Sequence, residues 1–180
     1  AYLTHGMEDY FEPAIHIRHN DYNSSLLLKY VDHSSNNTGN GINETVITLK
    51  DDKYPVTVKL HYVAYDKENI IRTFTEISHE EKKPVILSKY ASSMLHLNSS
   101  KYFLTEFSGD WAHEANVTER ELAFGKKVID TKLGARANMF VSPFFQLALD
   151  NPSQENAGEV LVGTIGWTGN FRFTFEVGNK

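Results

Sequence analysis

The sequence contains no cysteine among its 180 residues. Disulfides, thiolate metal ligands and a cysteine nucleophile are therefore excluded. Serine is common, but no G-x-S-x-G or S-x-x-K motif accompanies it, and glycine-rich phosphate loops of the P-loop or Rossmann type are also missing. These absences weaken any assignment as a nucleophile-dependent hydrolase or a nucleotide-binding protein.

Long apolar runs and clusters of basic residues are also missing. No run approaches the roughly 18 residues that cross a bilayer, and the first residues have neither the basic nor the apolar region of a signal peptide. The 18 lysines and arginines are scattered and the formal net charge is −5. Because phosphate backbones require a concentrated basic face, we expect neither nucleic acid nor a membrane as a partner.

Two histidine patterns could suggest a metal, and both fail on spacing. His16 and His19 are three residues apart, so on a strand they point to opposite faces. The stretch that begins Trp111-Ala-His-Glu resembles the start of a zincin motif, but Val117 stands where the second histidine is needed. We therefore expect neither a metal nor another cofactor.

What the sequence does contain is a repeated alternation of apolar and polar residues. In residues 56–62 the apolar side chains fall at every second position, which is typical of a half-buried strand. No apolar stripe of helical spacing persists for three turns. The pattern predicts an all-β, large antiparallel sandwich in one domain, with strands at residues 14–18, 26–31, 44–50, 56–62, 70–78, 85–95, 127–132, 160–165 and 171–177.

Two polar stretches between these strands predict connections. Residues 34–43 are rich in Ser, Asn and Gly and favour a mobile surface loop. Residues 168–170 favour a chain reversal between the last two strands, because glycine and asparagine tolerate positive φ. Trp167 stands beside this reversal although turn chemistry does not require a large ring there.

Aromatic residues outside the alternating runs are candidates for sugar binding. Rings stack on the C–H faces of sugars while polar groups bind the hydroxyls, and packing in a core or against another domain is the competing interpretation for each tryptophan. Acidic residues are frequent, but a glycosidase needs two carboxylates about 5 to 10 Å apart, which a sequence does not reveal. The aromatic candidates are Tyr2, Tyr10, Phe11, Trp111 and Trp167.

The order of five segments resembles the N-terminal domain of glycoside hydrolase family 36, the bacterial alpha-galactosidases. The first resembles the family's tyrosine-x-x-x-glycine-x-x-aspartate-aromatic segment, and the third its glycine-x-tryptophan-alanine-x-glutamate motif. Together they span about 170 residues in the family's order. The segments read YLTHGMEDYFEPAI, LLKYVDHS, SGDWAHE, GARANMFVSPFFQLAL and GEVLVGTIGWTGNFRF.

This resemblance implies a β-supersandwich, like that of galactose mutarotase, packed on a catalytic TIM barrel. Both catalytic aspartates of the family belong to the barrel, which is absent from these 180 residues. The chain alone is therefore expected to be inactive and to contain no catalytic residue. Its parent enzyme would hydrolyse terminal alpha-galactosides such as melibiose or raffinose with retention of configuration. The compartment stays open, with the bacterial cytoplasm slightly favoured.

The resemblance also implies partners and contact residues. In tetrameric members a neighbouring subunit's N-terminal domain reaches toward the active site with the segment that matches residues 6–11. Asp9 occupies the position of the family's aspartate, so Asp9, Tyr10 and Trp111 are the candidate substrate-binding residues. The partners implied are the enzyme's own barrel and neighbouring subunits in a homo-oligomer, with Trp167 as a packing residue near the barrel. Departures from the family pattern are Phe11, Ala137, Asn138, Ser142 and Trp167-Thr168.

Two other functional classes remain open from the residues. One is a free-standing carbohydrate-binding or adhesin module, which the all-β pattern and the aromatic residues favour. The other is an enzyme that acts alone, such as a mutarotase on a similar sandwich, which needs a histidine and a carboxylate in one cleft. His113 and Glu114 are adjacent in the sequence and would diverge on a strand.

Overall fold

The fold is described from a computed structural model, which covers residues 2–7, 10–137 and 139–178. The chain divides into two compact units with the boundary between His96 and Leu97. Each unit contains its own sheets and its own hydrophobic core. The assignment of residues 1–180 to a single domain stays a prediction.

Unit 1 contains two antiparallel sheets. The larger is a meander in which each strand pairs with the next along the chain, in the order β2-β3-β4-β5. The smaller sheet pairs β1 with β6, and Thr4 adds an isolated parallel bridge to Ile15. The strands are β1 Ile15–Arg18, β2 Leu28–Gly39, β3 Ile42–Asp51, β4 Val56–Tyr65, β5 Ile70–His79 and β6 Ile86–Tyr90.

The core of unit 1 follows from the alternation in β4. Val56, Val58 and Leu60 point to one face and are almost completely buried, because side chains two positions apart share a face of a sheet. They pack in one cluster with Ile15 and Ile17 of β1. The buried face of the meander therefore packs against β1.

Unit 2 contains a four-stranded sheet and a two-stranded sheet, both antiparallel. The strand order of the first is β11-β10-β7-β8, and the second pairs β12 with β9. A single 3₁₀ turn, Gly134–Arg136, lies between β9 and β10. The strands are β7 Tyr102–Ser108, β8 Asn116–Glu121, β9 Gly125–Thr131, β10 Val141–Gln154, β11 Ala157–Thr164 and β12 Phe171–Val177.

The core of unit 2 contains a cluster of phenylalanine rings. Phe145 meets Phe173 and Phe175 edge to face, with ring centroids 5.1 and 4.9 Å apart, an arrangement that aromatic pairs favour. Phe145 lies directly opposite Gly163 on β11. A Cβ atom at Gly163 would lie 2.2 Å from Cζ of Phe145, so the ring occupies space that only glycine leaves free.

The prediction of an all-β, antiparallel fold without long helices is confirmed. The strand predicted at residues 171–177 has the bounds of β12, and the other predicted strands differ from the observed ones at one or both ends. Within the described ranges, no helix has the length and apolar character to cross a membrane.

The expectation of a mobile loop at residues 34–43 is wrong. Residues 34–39 belong to β2 and residues 42 and 43 to β3, and the two strands form a hairpin. Its turn is made by Asn40 and Gly41, with φ of 57° and 81°. Two successive residues with positive φ are typical of the hairpin turn that matches strand twist. The polar composition therefore reflects an exposed edge strand rather than an unstructured loop.

Three strands were not predicted, and one prediction was too long. β10 contains Pro143 and Pro152, which argue against a strand because proline cannot donate to the ladder. β8 is exposed along its whole length and polar, and β7 also lacked a predicted counterpart. Of the predicted strand at residues 85–95, only Ile86–Tyr90 forms β6.

The predicted reversal at residues 168–170 is not a hairpin. β11 and β12 pair with different partners, so this stretch connects two sheets. Gly166, Gly169 and Asn170 are absent from the residues with positive φ. The Asn170 side chain instead accepts a hydrogen bond from the backbone N–H of Gly134 at 2.7 Å.

Candidate functional site

The most exposed tryptophan lies on a short connection between β7 and β8. Trp111 is 86% exposed, and its backbone N–H donates to Oδ1 of Asp110 at 2.7 Å. Asp110 and His113 exchange backbone hydrogen bonds of 3.1 and 2.9 Å, which close a tight turn around the tryptophan. The ring is thus held on an ordered turn while its faces remain open to solvent.

This turn contains backbone conformations that are costly for its residue types. Ala112 and Ala115 have φ of 59° and 57°, in the left-handed region that side chains with a Cβ disfavour. Such conformations cluster at functional sites, where the surrounding structure enforces them. The enforcing contacts include Gly109 N–H to the Phe140 carbonyl at 2.9 Å and Asn116 Nδ2 to the His113 carbonyl at 2.8 Å.

Two further connections lie at the same end of unit 2. Ser108 pairs with both Asn116 and Val141, so residues 109–115 and the start of β10 are adjacent. Phe144 pairs with Thr164, which places the end of β11 there as well. We call the connections 109–115, 132–140 and 165–170 the loop end of unit 2.

The loop end presents a group of exposed large apolar side chains. Trp167 is 62% exposed, and its indole Nε1 lies where a Cβ atom at Gly169 would approach to 2.5 Å. The Trp167 ring therefore folds back over Gly169. Large apolar side chains that are exposed at one end of a domain make that end a candidate interaction surface. The members are Trp111, Leu133, Met139, Phe140 and Trp167.

The second candidate segment lies in unit 1, between Thr4 and β1. Tyr10 is fully exposed there, so its ring is accessible to another molecule. Asp9 lies outside the described residues, so its contacts stay a prediction. Because Tyr10 and Trp111 belong to different units, each is described only within its own unit.

The H-x-x-H pair has different neighbours at its two positions. His16 on β1 stacks on His5 with centroids 4.1 Å apart. His19 lies beyond the strand and is buried, with Nδ1 2.6 Å from Glu81 Oε1 and Nε2 3.1 Å from the Ser25 carbonyl. In residues 2–7, 10–137 and 139–178, no group of three metal-ligating side chains converges.

The Glu81 carboxylate shows how this buried network is balanced. Burial raises the pKa of Glu81, but hydrogen bonds from His19 and from the Asn20 backbone outweigh burial, so the pKa lies below its usual value. His19 also stacks on Tyr54 with centroids 3.5 Å apart. The network ties the turn after β1 to the connection that follows β5, which is a structural role.

A groove of about 200 Å³ lies at the opposite end of unit 2, beside the connection from β8 to β9. Its lining contains one carboxylate, Glu121, beside basic side chains such as Arg120 and Lys126. Glycoside hydrolysis requires a pair of carboxyl groups across the sugar. This groove therefore lacks the acid pair that a glycosidase uses.

Comparison with known proteins identifies the family. The model described as the glycosyl hydrolase family 36 N-terminal domain matches residues 1–180. The chain belongs to this family. Among similar curated proteins, alpha-galactosidase 2 of Pediococcus pentosaceus is 29% identical over 98% of this chain and 26% of its own length. Probable alpha-galactosidase G of Aspergillus terreus is 25% identical over 97% of this chain and 26% of its own length.

Solved structures of family 36 enzymes show the same fold. The alpha-galactosidase AgaA of Geobacillus stearothermophilus superposes with a TM-score of 0.88 at 24% identity, over 98% of this chain and 26% of that one. A variant of that enzyme in complex with raffinose also gives 0.88. This family 36 domain therefore spans about a quarter of the length of the curated relatives it matches.

Some residues of this family 36 domain could not be found by sequence reasoning. Leu133, Met139 and Phe140 lie outside the alternating runs, and this position alone does not reveal that they are exposed. His113 and Glu114, considered above as an acid and base pair, are both exposed on the Trp111 turn.

Proposed function

We propose that this chain is the non-catalytic N-terminal domain of an alpha-galactosidase that hydrolyses terminal alpha-galactosides of the raffinose or melibiose type with retention of configuration. The observation that carries the proposal is the similarity to curated alpha-galactosidases over nearly the whole chain, which spans only a quarter of their length. The remaining three quarters of such a protein would supply the catalytic barrel and its two aspartates.

We assign two kinds of contact to the domain. The apolar side chains Leu133, Met139, Phe140 and Trp167 at the loop end of unit 2 pack on the barrel, which removes exposed apolar surface from water. The segment that carries Asp9 and Tyr10 edges the active site of a neighbouring subunit in a homo-oligomer. Trp111 offers an open ring face for stacking on a sugar.

The test compares the full-length parent with the chain of residues 1–180. We expect the parent to hydrolyse nitrophenyl alpha-galactoside and raffinose, and the chain alone to hydrolyse neither. Turnover by the isolated chain that depends on Asp9 or Glu114 would overturn the accessory role. Calorimetric binding of galactose or raffinose by the isolated chain would instead support a free-standing carbohydrate-binding module.

The contact residues are tested in the full-length parent. Tyr10→Ala and Trp111→Ala should each raise KM for raffinose by about ten-fold, since each removes a ring contact of roughly 1 to 1.5 kcal/mol. Tyr30→Ala is the matched control in unit 1, because this tyrosine is also exposed but lies on edge strand β2. Phe124→Ala is the matched control in unit 2, because Phe124 is also exposed but lies after the end of β8, whereas Trp111 lies before its start.

A further inference from the structure

The segment that carries Tyr10 leaves and rejoins unit 1 at neighbouring points. At its start, His5 N–H donates to the Ile15 carbonyl at 3.2 Å, and at its end, Ala14 N–H donates to the Leu3 carbonyl at 2.8 Å. Thr4 and Ile15 form the parallel bridge between the two sides. Tyr10 therefore lies on a segment whose two ends, at His5 and Ala14, are fixed to each other, and we call this segment the excursion.

Side chains from both ends of this excursion reach the same pair of strands. Glu12 accepts a hydrogen bond from Nζ of Lys89 on β6, and their side chains are only 25% and 33% exposed. His5 stacks on His16 of β1. His16 and Lys89 are partners in the β1–β6 ladder. The paired residues His16 and Lys89 therefore contact both ends of the segment, His16 through His5 and Lys89 through Glu12.

Lys89 and Glu12 form an ion pair beside His16. Burial lowers the pKa of His16, and the neighbouring His5 and Lys89 lower it further, so these surroundings favour the neutral form of the imidazole. Nε2 of His16 is buried and has no hydrogen-bond partner among the described residues. The stack therefore contributes ring packing, and Glu12 supplies the negative charge that faces Lys89.

We propose that Lys89 and Glu12 are positioning residues, which tie down the end of the excursion so that Tyr10 is presented at a fixed place to the alpha-galactoside. That Tyr10 meets the substrate rests on the proposed function. That Lys89 and Glu12 restrain the segment rests on the contacts within unit 1. Neither residue is expected to touch the substrate, because both act through the segment between His5 and Glu12.

The experiment uses the full-length parent with Lys89→Met, Lys89→Arg and Glu12→Gln. Loss of a partly buried ion pair should speed chymotryptic cleavage after Tyr10 by about three-fold, and KM for raffinose should rise by a similar factor with kcat unchanged. Lys89→Arg keeps the charge and should restore both values. Cleavage after the exposed Trp111 in unit 2 is the internal control and should not change.

Lys101→Met is the matched control variant, because Lys101 pairs with Glu121 in unit 2 at 3.2 Å and should leave Tyr10 cleavage unaltered. Unchanged cleavage after Tyr10 in both Lys89→Met and Glu12→Gln would overturn the inference, whatever the kinetics. Faster cleavage with an unchanged KM would support the tie and would count against the proposed role of this segment at the active site.

Discussion

At the scale of single residues, the contact between Gly163 and Phe145 makes a sharp prediction. An alanine at position 163 would place its Cβ 2.2 Å from the Phe145 ring, which Phe173 and Phe175 hold on its other sides. Because a packed core resists added volume, Gly163→Ala should lower the free energy of unfolding by about 1 to 3 kcal/mol. Chemical denaturation of the chain measures this value.

Gly166→Ala is the control for this substitution, since no atom lies within 4 Å of a Cβ built there and its φ is not positive. It should change stability by less than about 0.5 kcal/mol. Phe145→Leu combined with Gly163→Ala should recover part of the loss, because the two side chains compete for one space. Equal losses at positions 163 and 166 would contradict the packing argument.

The candidate site residues could be predicted only in part from the sequence. Trp111 and Tyr10 stand out as aromatic residues beside glycine or acidic neighbours, and both are exposed. The partners that hold these segments could not be predicted, since Lys89 reaches Glu12 across 77 positions of the chain. Contacts of this kind depend on strand register, which the alternation of one strand does not determine.

At the scale of elements, the β2–β3 hairpin predicts an ordered turn where polar composition indicated a loop. Gly41 has φ of 81°, so Gly41→Ala should reduce the free energy of local opening by about 1 kcal/mol. Hydrogen exchange of amides in Ile42–Asp51 would then speed up. Gly166→Ala again serves as the control, and unprotected amides throughout β3 in the unaltered protein would contradict the hairpin.

The elements show why some strands are predictable and others are not. Residues 56–60 of β4 alternate because Val56, Val58 and Leu60 are buried and the residues between them are less so, so the position of β4 could be predicted from residue pattern alone. β8 has no buried face, so it carries no such pattern, and β10 forms despite two prolines. For edge strands and bulged strands the tertiary pairing overrides local preference.

At the scale of the whole molecule, the resemblance to family 36 carried information that periodicity lacked. Alternation predicted an all-β class but did not reveal the division at His96 and Leu97. The order of five short segments predicted the family, which the match over residues 1–180 confirms. Functional expectations follow from that membership and from the exposed aromatic residues, rather than from any catalytic motif.

The exposed apolar side chains at the loop end of unit 2 predict how the chain of residues 1–180 behaves in isolation. Five large apolar side chains are exposed there, and removing such side chains from water favours association. We expect concentration-dependent self-association, which analytical ultracentrifugation would detect. Replacing Leu133 and Trp167 together by glutamine should weaken this association by about ten-fold or more, since each buried ring or branched side chain contributes over 1 kcal/mol.

Ile70 and Ile71 provide the matched control, because they are also exposed apolar residues but lie on β5 of unit 1. Their replacement by glutamine should leave the association constant unchanged. If that pair abolished association while the loop-end pair did not, the edge of the meander would be the contact instead, as unpaired strand edges permit. If the loop end packs on a catalytic barrel, as proposed above, the loop-end substitutions should also make the domain more susceptible to proteases in the full-length parent.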